Sequence, residues 1–166
     1  MIVQAEPGQD DQHRDAQVLV TLLHLRDIQQ QSGAHFNIVA EMLDVRNREL
    51  ASVTRIDDFI VSTHIISLLM AQLSENAALL PVFTDLFDAD GSEIYLKPAA
   101  NYIEPGVEVS FAAVIESASR MGETAIGYKL RAEKDDPEHN FGIYTNPAKL
   151  QPVTFTDRDK IIVLAE

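Results

Sequence analysis

The chain of 166 residues has no cysteine and no tryptophan. Without cysteine there are no disulfides, no thiolate nucleophile and no thiolate-held zinc or iron–sulfur centre. The longest apolar stretches, such as IISLLMA, fall well short of the roughly 18 residues needed to span a bilayer. The N-terminus MIVQAEPGQDDQ lacks the basic start and long apolar core of a secretory signal. Basic charge is also scarce: 13 Lys and Arg face 26 Asp and Glu, a formal net charge of −13. Such a surface repels phosphate backbones, which argues against nucleic-acid binding, and it attracts cations. No G-x-S-x-G elbow and no H-x-x-x-H spacing occur, and His13, His24, His35, His64 and His139 are scattered. No G-x-G-x-x-G follows the first apolar segment, where Glu6-Pro7-Gly8-Gln9 stands instead, so a dinucleotide site of the usual kind is not expected.

What the chain does contain is 46% hydrophobic and 23% charged residues, the composition of a folded globular protein. A chain of this length buries roughly 70% of its unfolded surface. Ile2–Ala5 reads as a strand, with Pro7-Gly8 breaking the loop after it. Val18, Leu19, Leu22, Leu25 and Ile28 predict a helix over Ala16–Gln31, capped by Asp15 or a neighbour and stopped at Ser32-Gly33. Phe36–Leu43 is nearly all apolar, as a buried parallel strand would be. Asp44–Ala51 reads as a short charged helix and Phe59–Val61 as a strand. This alternation of strand and helix predicts α/β architecture, with half of a doubly wound sheet at the N-terminal end.

Two apolar helices follow. Ser62 caps the first, Thr63–Glu75, which carries Ile65, Ile66, Leu68, Leu69, Met70 and Leu73. Asn76 interrupts, and Ala77–Phe87 carries Leu79, Leu80, Val82, Phe83, Leu86 and Phe87. Apolar residues cover more than half of each circumference, so the pair asks for a partner surface beyond its own sheet. After a turn at Asp88–Gly91 come a strand at Ser92–Leu96, an amphipathic helix at Ser110–Met121 stopped by Gly122, a strand at Thr124–Leu130, a minor strand at Phe141–Tyr144 and a last strand at Asp159–Ala165. This divides the chain into a sheet lobe at 1–61, a helix pair at 62–88 and a second lobe at 89–166.

Among acidic residues, Asp88, Asp90 and Glu93 offer carboxylate oxygens of the kind calcium takes, although the spacing is not that of an EF-hand. Asp57, Asp58, Glu41 and Asp44 lie near strand ends, where open α/β sheets bind ligands. Glu41 sits in an apolar strand and needs a partner, for which Arg46, Arg48 and Arg55 are the candidates. For each of these, a polar turn or an ion pair is the competing reading. Tyr95, Tyr102, Tyr128 and Tyr144 are expected to pack in the second lobe.

The segments DAQVLVTLLHLRDI, FNIVAEMLDVRNRELA, DDFIVSTHIISLLMAQLSEN and DLFDADGSEIYLKP resemble the RCK regulatory domain of cation channels, in particular the Castor/Pollux family. The helix ending at Gly122, the GETAIGY strand and the closing DKIIVLAE are similar to the small lobe of Trk-type potassium-uptake regulators. The resemblance implies the second half of a Rossmann-like N-lobe, a helix-turn-helix crossover and a small α+β C-lobe. It also implies a non-enzymatic cytoplasmic domain that acts on a pore through subunit assembly. On this reading Ile65, Ile66, Leu69, Met70, Leu73, Leu80, Phe83 and Phe87 meet a second subunit, Asp57, Asp58, Asp88, Asp90 and Glu93 are the candidate ion sensor, and the fragment itself does not enter the membrane. The rival readings are a truncated dinucleotide-dependent oxidoreductase and a soluble dimeric adaptor.

Overall fold

The structure, a computed structural model, describes residues 1–4, 10–33, 38–47, 59–88 and 90–166. The chain divides into two compact units, Met1–Leu79 and Leu80–Glu166.

In the first unit, strands β1 (Ile2–Val3), β2 (Val39–Met42) and β3 (Phe59–Val61) form a parallel sheet in the order β1-β2-β3. Ala40 stands opposite Phe59 and Met42 opposite Val61. Helix α1 (Asp11–Ser32) packs on the sheet through Val18 and Leu22, which meet Ile38, Ala40, Met42 and Val61. Helix α1 begins a full turn earlier than the apolar spacing suggests. Asp10 is the cap: its carboxylate accepts the His13 amide at 2.9 Å, satisfying one of the free N–H groups of the first turn. Asp15 is not a cap but a fully buried residue inside the helix. Gly33 ends α1 as expected, in the left-handed region at φ +66°.

Strand β2 also departs from expectation. Only Ala40 and Met42 are buried, while Val39 and Glu41 are partly exposed, so the strand alternates rather than being enclosed on both faces. The charged helix expected at Asp44–Ala51 is, in its described part, a 3-10 turn at Val45–Asn47. Helix α2 (Ser62–Glu75) follows β3 without a linker. Ser62 does not cap it, because Val61 occupies that position with no side-chain bond. The helix is anchored instead by Thr63, whose hydroxyl donates to the Leu43 carbonyl at 2.7 Å. Asn76 ends α2, accepting the Ala78 amide on its own side chain.

The second unit opens with α3 (Leu80–Phe87), where Pro81 occupies the first turn, the position in which a missing N–H costs least. Strands β4 (Glu93–Pro98), β6 (Thr124–Lys129), β7 (Ile143–Thr145) and β9 (Lys160–Ala165) form an antiparallel sheet in the order β4-β9-β6-β7. A separate pair joins β5 (Glu108–Ser110) to β8 (Pro152–Thr154). These two short strands had no sequence signature: three residues are too few to show alternation. Helix α4 (Phe111–Arg120) covers one sheet face with Phe111, Val114 and Ala118, all fully buried. Ser110 caps it by accepting the Ala113 amide, and Gly122 leaves it at φ +77°. Tyr128 is the hub of this core, with ring centroids 4.9 Å from Tyr144, 5.3 Å from Phe155 and 5.9 Å from Phe111. The α/β class expected from the sequence is the class observed: parallel strands first, then an α+β half.

Among the described residues, no helix is long and apolar enough to cross a membrane.

Candidate functional site

Helices α2 and α3 are the most apolar helices of their units, yet neither contains a buried residue. On α2, Ile65, Ile66, Leu68 and Met70 are exposed, Met70 to 65% of its surface, and Leu69 and Leu73 are half-buried. On α3, Leu80, Val82 and Phe87 are exposed, Phe87 to 71%, while Phe83 is half-buried and stacks on Phe87 at 6.3 Å. Single exposed apolar side chains are ordinary, but four within six residues on one helix form a patch of the kind that marks contact surfaces. Burying each such side chain is worth roughly 1.5–3 kcal/mol before the cost of association. All eight residues expected at a subunit contact are therefore at least partly open to solvent within the chain.

A second feature of the first unit is a hollow of about 400 Å³ beyond the carboxyl ends of β2 and β3, lined by Asp11, Leu43, Asp44, Arg46, Thr63, His64 and Ser67. Asp15, buried within α1, accepts the amides of Leu43 at 2.9 Å and Asp44 at 3.0 Å and the Asn47 side chain at 2.7 Å. A buried carboxylate with three donors is satisfied without a counter-ion. Arg46 does not pair with Glu41; its guanidinium is bidentate on Asp44, at 3.0 Å from Nε to Oδ1 and 2.5 Å from Nη2 to Oδ2. The hydrogen bonds from Arg46 hold the Asp44 carboxyl below the usual carboxylate range. Arg48, Arg55, Asp57, Asp58 and His35 lie outside the described residues.

Of the expected ion ligands, Asp88, Asp90 and Glu93 lie among the described residues. Among the described residues, no group of three or more His, Asp or Glu side chains is placed to hold a metal ion. Asp88 accepts the Asp90 amide at 3.3 Å, a local turn contact, and interaction with the Glu93 carboxylate raises the pKa of Tyr95. His13, His24 and His64 are exposed. His139 bonds Asp136 at 2.8 Å, and this bond raises its pKa.

The second unit holds three polar knots that the sequence reading missed. Glu123 receives Lys97 Nζ at 2.6 Å and the Tyr102 hydroxyl. The bonds from Lys97 and then Tyr102 lower its pKa, while burial and the nearby carboxylate push the Tyr102 phenol far above its ordinary value. Tyr144 donates to Glu133 at 2.6 Å, which with burial pushes that phenol up to about 12. Asp159, almost fully buried, accepts the Arg131 amide at 2.7 Å and both the amide and hydroxyl of Thr156. The Thr156-x-x-Asp159 spacing, a side-chain turn pattern, was the available signal for this last knot.

No metal cluster accompanies these groups among the described residues, and the exposed helices are the feature that needs an explanation. The chain's relatives are the Castor/Pollux ion channels. It is 28% identical to the ion channel CASTOR of Lotus japonicus over 180 aligned positions, covering 92% of this chain and 20% of the channel. It is 30% identical to the probable ion channel POLLUX of Arabidopsis thaliana over 146 positions, 71% of this chain and 18% of the channel. The ion channel DMI1 of Medicago truncatula is 30% identical over 71% of this chain. These relatives are ion channels, not enzymes. The chain spans about a fifth of the length of the curated relatives it matches. Among solved structures, the GsuK RCK domain aligns over 99% of this chain and 30% of its own, at 14% identity and a TM-score of 0.36. The GsuK channel bound to NAD aligns over 99% and 24%, at 13% identity and the same TM-score. No family model matches the chain.

Proposed function

We propose that this chain is a cytoplasmic regulatory segment of a Castor/Pollux-like cation channel, and that it acts on its pore domain by assembling with copies of itself through α2 and α3. The observation that carries this reading is the absence of any buried residue on those two helices, although they are apolar on most faces. The similarity to ion channels over most of the chain supplies the context. A gating segment needs an interface with two arrangements and a ligand that favours one of them. An apolar surface meeting its own copy meets that need better than a private core does, because it can separate or slide without unfolding either unit.

Light scattering and sedimentation test the assembly. The wild-type chain should form a dimer or a larger species. Leu69→Asp with Phe83→Asp should reduce that species while leaving the far-ultraviolet circular dichroism unchanged. A wild-type chain that stays monomeric at all concentrations overturns the reading. In the parent channel in a planar bilayer, the same pair of substitutions should leave current but remove its response to the effector.

A further inference from the structure

The link between β6 and β7, residues 130–142, holds two consecutive residues with side chains in the left-handed region, Asn140 at φ +50° and Phe141 at φ +56°. Asparagine tolerates this backbone. For a bulky phenylalanine it costs energy and persists only where neighbours enforce it. Asp136 is the hub of that enforcement. Its carbonyl accepts the Phe141 amide at 2.8 Å. Its carboxylate accepts the Glu138 amide at 2.9 Å and bonds His139 Nδ1 at 2.8 Å. The His139 carbonyl accepts the Gly142 amide, and the Gly142 carbonyl accepts the Leu130 amide, both at 2.9 Å, which closes the base of the link. The link is also tied to the sheet. Glu133 accepts the hydroxyl of Tyr144 on β7, and Tyr144 stacks on the core residue Tyr128. Strand β7 is the outer strand next to β6, so its placement depends on this link.

We propose that this link is a proton-operated latch, closed on β7 when His139 is charged and loosened when it is neutral. A charged imidazole donates from both ring nitrogens, so Nδ1 always offers a proton to Asp136. A neutral one donates from Nδ1 in only one tautomer, and it forfeits the ion pair. The groups that act on His139 are Asp136 first and Glu133 second, both acidic, while Lys134 pairs with Asp135 at 3.5 Å. The bond to Asp136 and these charges raise the His139 pKa above its ordinary 6.5, and the same bond holds the Asp136 carboxyl below its ordinary 3.8. The stabilisation from the pair is therefore complete between those two ordinary values. It is lost as pH rises through the higher folded value of His139, and as pH falls through the lower folded value of Asp136. Tyr128 and Tyr144 are both pushed above the ordinary phenol value, so neither titrates near the upper edge. The latch lies within the second unit and works whether or not α2 and α3 are covered.

Nuclear magnetic resonance on the full chain tests the latch. The His139 imidazole, assigned by its disappearance in His139→Gln, should titrate above its ordinary 6.5. Amide–water exchange, divided by the intrinsic rate at each pH, reads the link directly. The Phe141 and Gly142 amides should be about two- to fivefold less protected at about pH 8 than at about pH 6, the range that an exposed ion pair supports. Amides of β9 should keep the same protection at both. His139→Gln alters an exposed side chain and should fix the link at one level of protection across that range. The proposal is overturned if wild-type His139 titrates at or below its ordinary value, or if the Phe141 and Gly142 amides are equally protected at both pH values. It is also overturned if the difference survives in His139→Gln, or if β9 loses protection in step, which marks unfolding of the whole unit.

Discussion

Glu123 shows how much a single side chain can organise. It lies in the short link between α4 and β6 and draws in Lys97 from β4 and Tyr102 from the turn after it, so three separated stretches meet at one carboxylate. Its pKa is lowered in the folded chain, first by Lys97 and then by Tyr102. The stabilisation from this knot is therefore complete above the unfolded carboxylate value and is lost as pH falls through the lower folded one. Glu123→Gln should lower the melting temperature at neutral pH, and its gap to the wild type should close as the pH is taken below about 4. Melting curves recorded across that range check this; a gap that is the same at every pH rules the carboxylate's charge out as the cause. The sequence placed an acidic residue after Gly122 but could not show its partners, which come from 26 and 21 residues away. Asp15 illustrates the same limit. By local pattern it is a cap candidate, yet its carboxylate is spent on amides 28 and 29 residues later, and Asp10 does the capping.

At the scale of elements, local chemistry was legible wherever it was self-contained. Gly33 and Gly122 mark two helix ends because left-handed backbone is a property of the glycine itself. The run Asp159–Ala165 announced the last strand, observed at Lys160–Ala165. What could not be read was who lies next to whom. Strand β9 takes an inner place between β4 and β6, and β6 carries an irregularity between Ala125 and Gly127 that keeps its two faces in register with β9. Gly127 then serves a purpose that only the pairing reveals. A Cβ on it would stand 2.2 Å from the Tyr144 carbonyl oxygen and 3.1 Å from the Thr145 Cα. Gly127→Ala should push β7 off β6 and cost about 1–3 kcal/mol or more, measured by urea unfolding. An unchanged midpoint shows that β7 moves aside freely.

For the whole molecule, the exposed helices α2 and α3 tie stability to association. If copies bind only when folded, mass action makes the melting temperature depend on concentration, by about 2–4 °C per tenfold for a chain of this size. Scanning calorimetry over two decades of concentration checks this, and a constant midpoint excludes self-association of the folded chain. The α/β class, the apolar character of residues 62–87 and the resemblance to channel regulators all followed from the sequence alone. Residue type, spacing and local backbone preference are written in the chain and act over a few residues. The tertiary structure alone decided which carboxylates are consumed by buried amides, that Lys97 and Tyr102 meet at Glu123, and that the two apolar helices stay open to solvent. Each of these depends on contacts between distant segments, and burial is a property of the assembled neighbours rather than of any stretch of sequence.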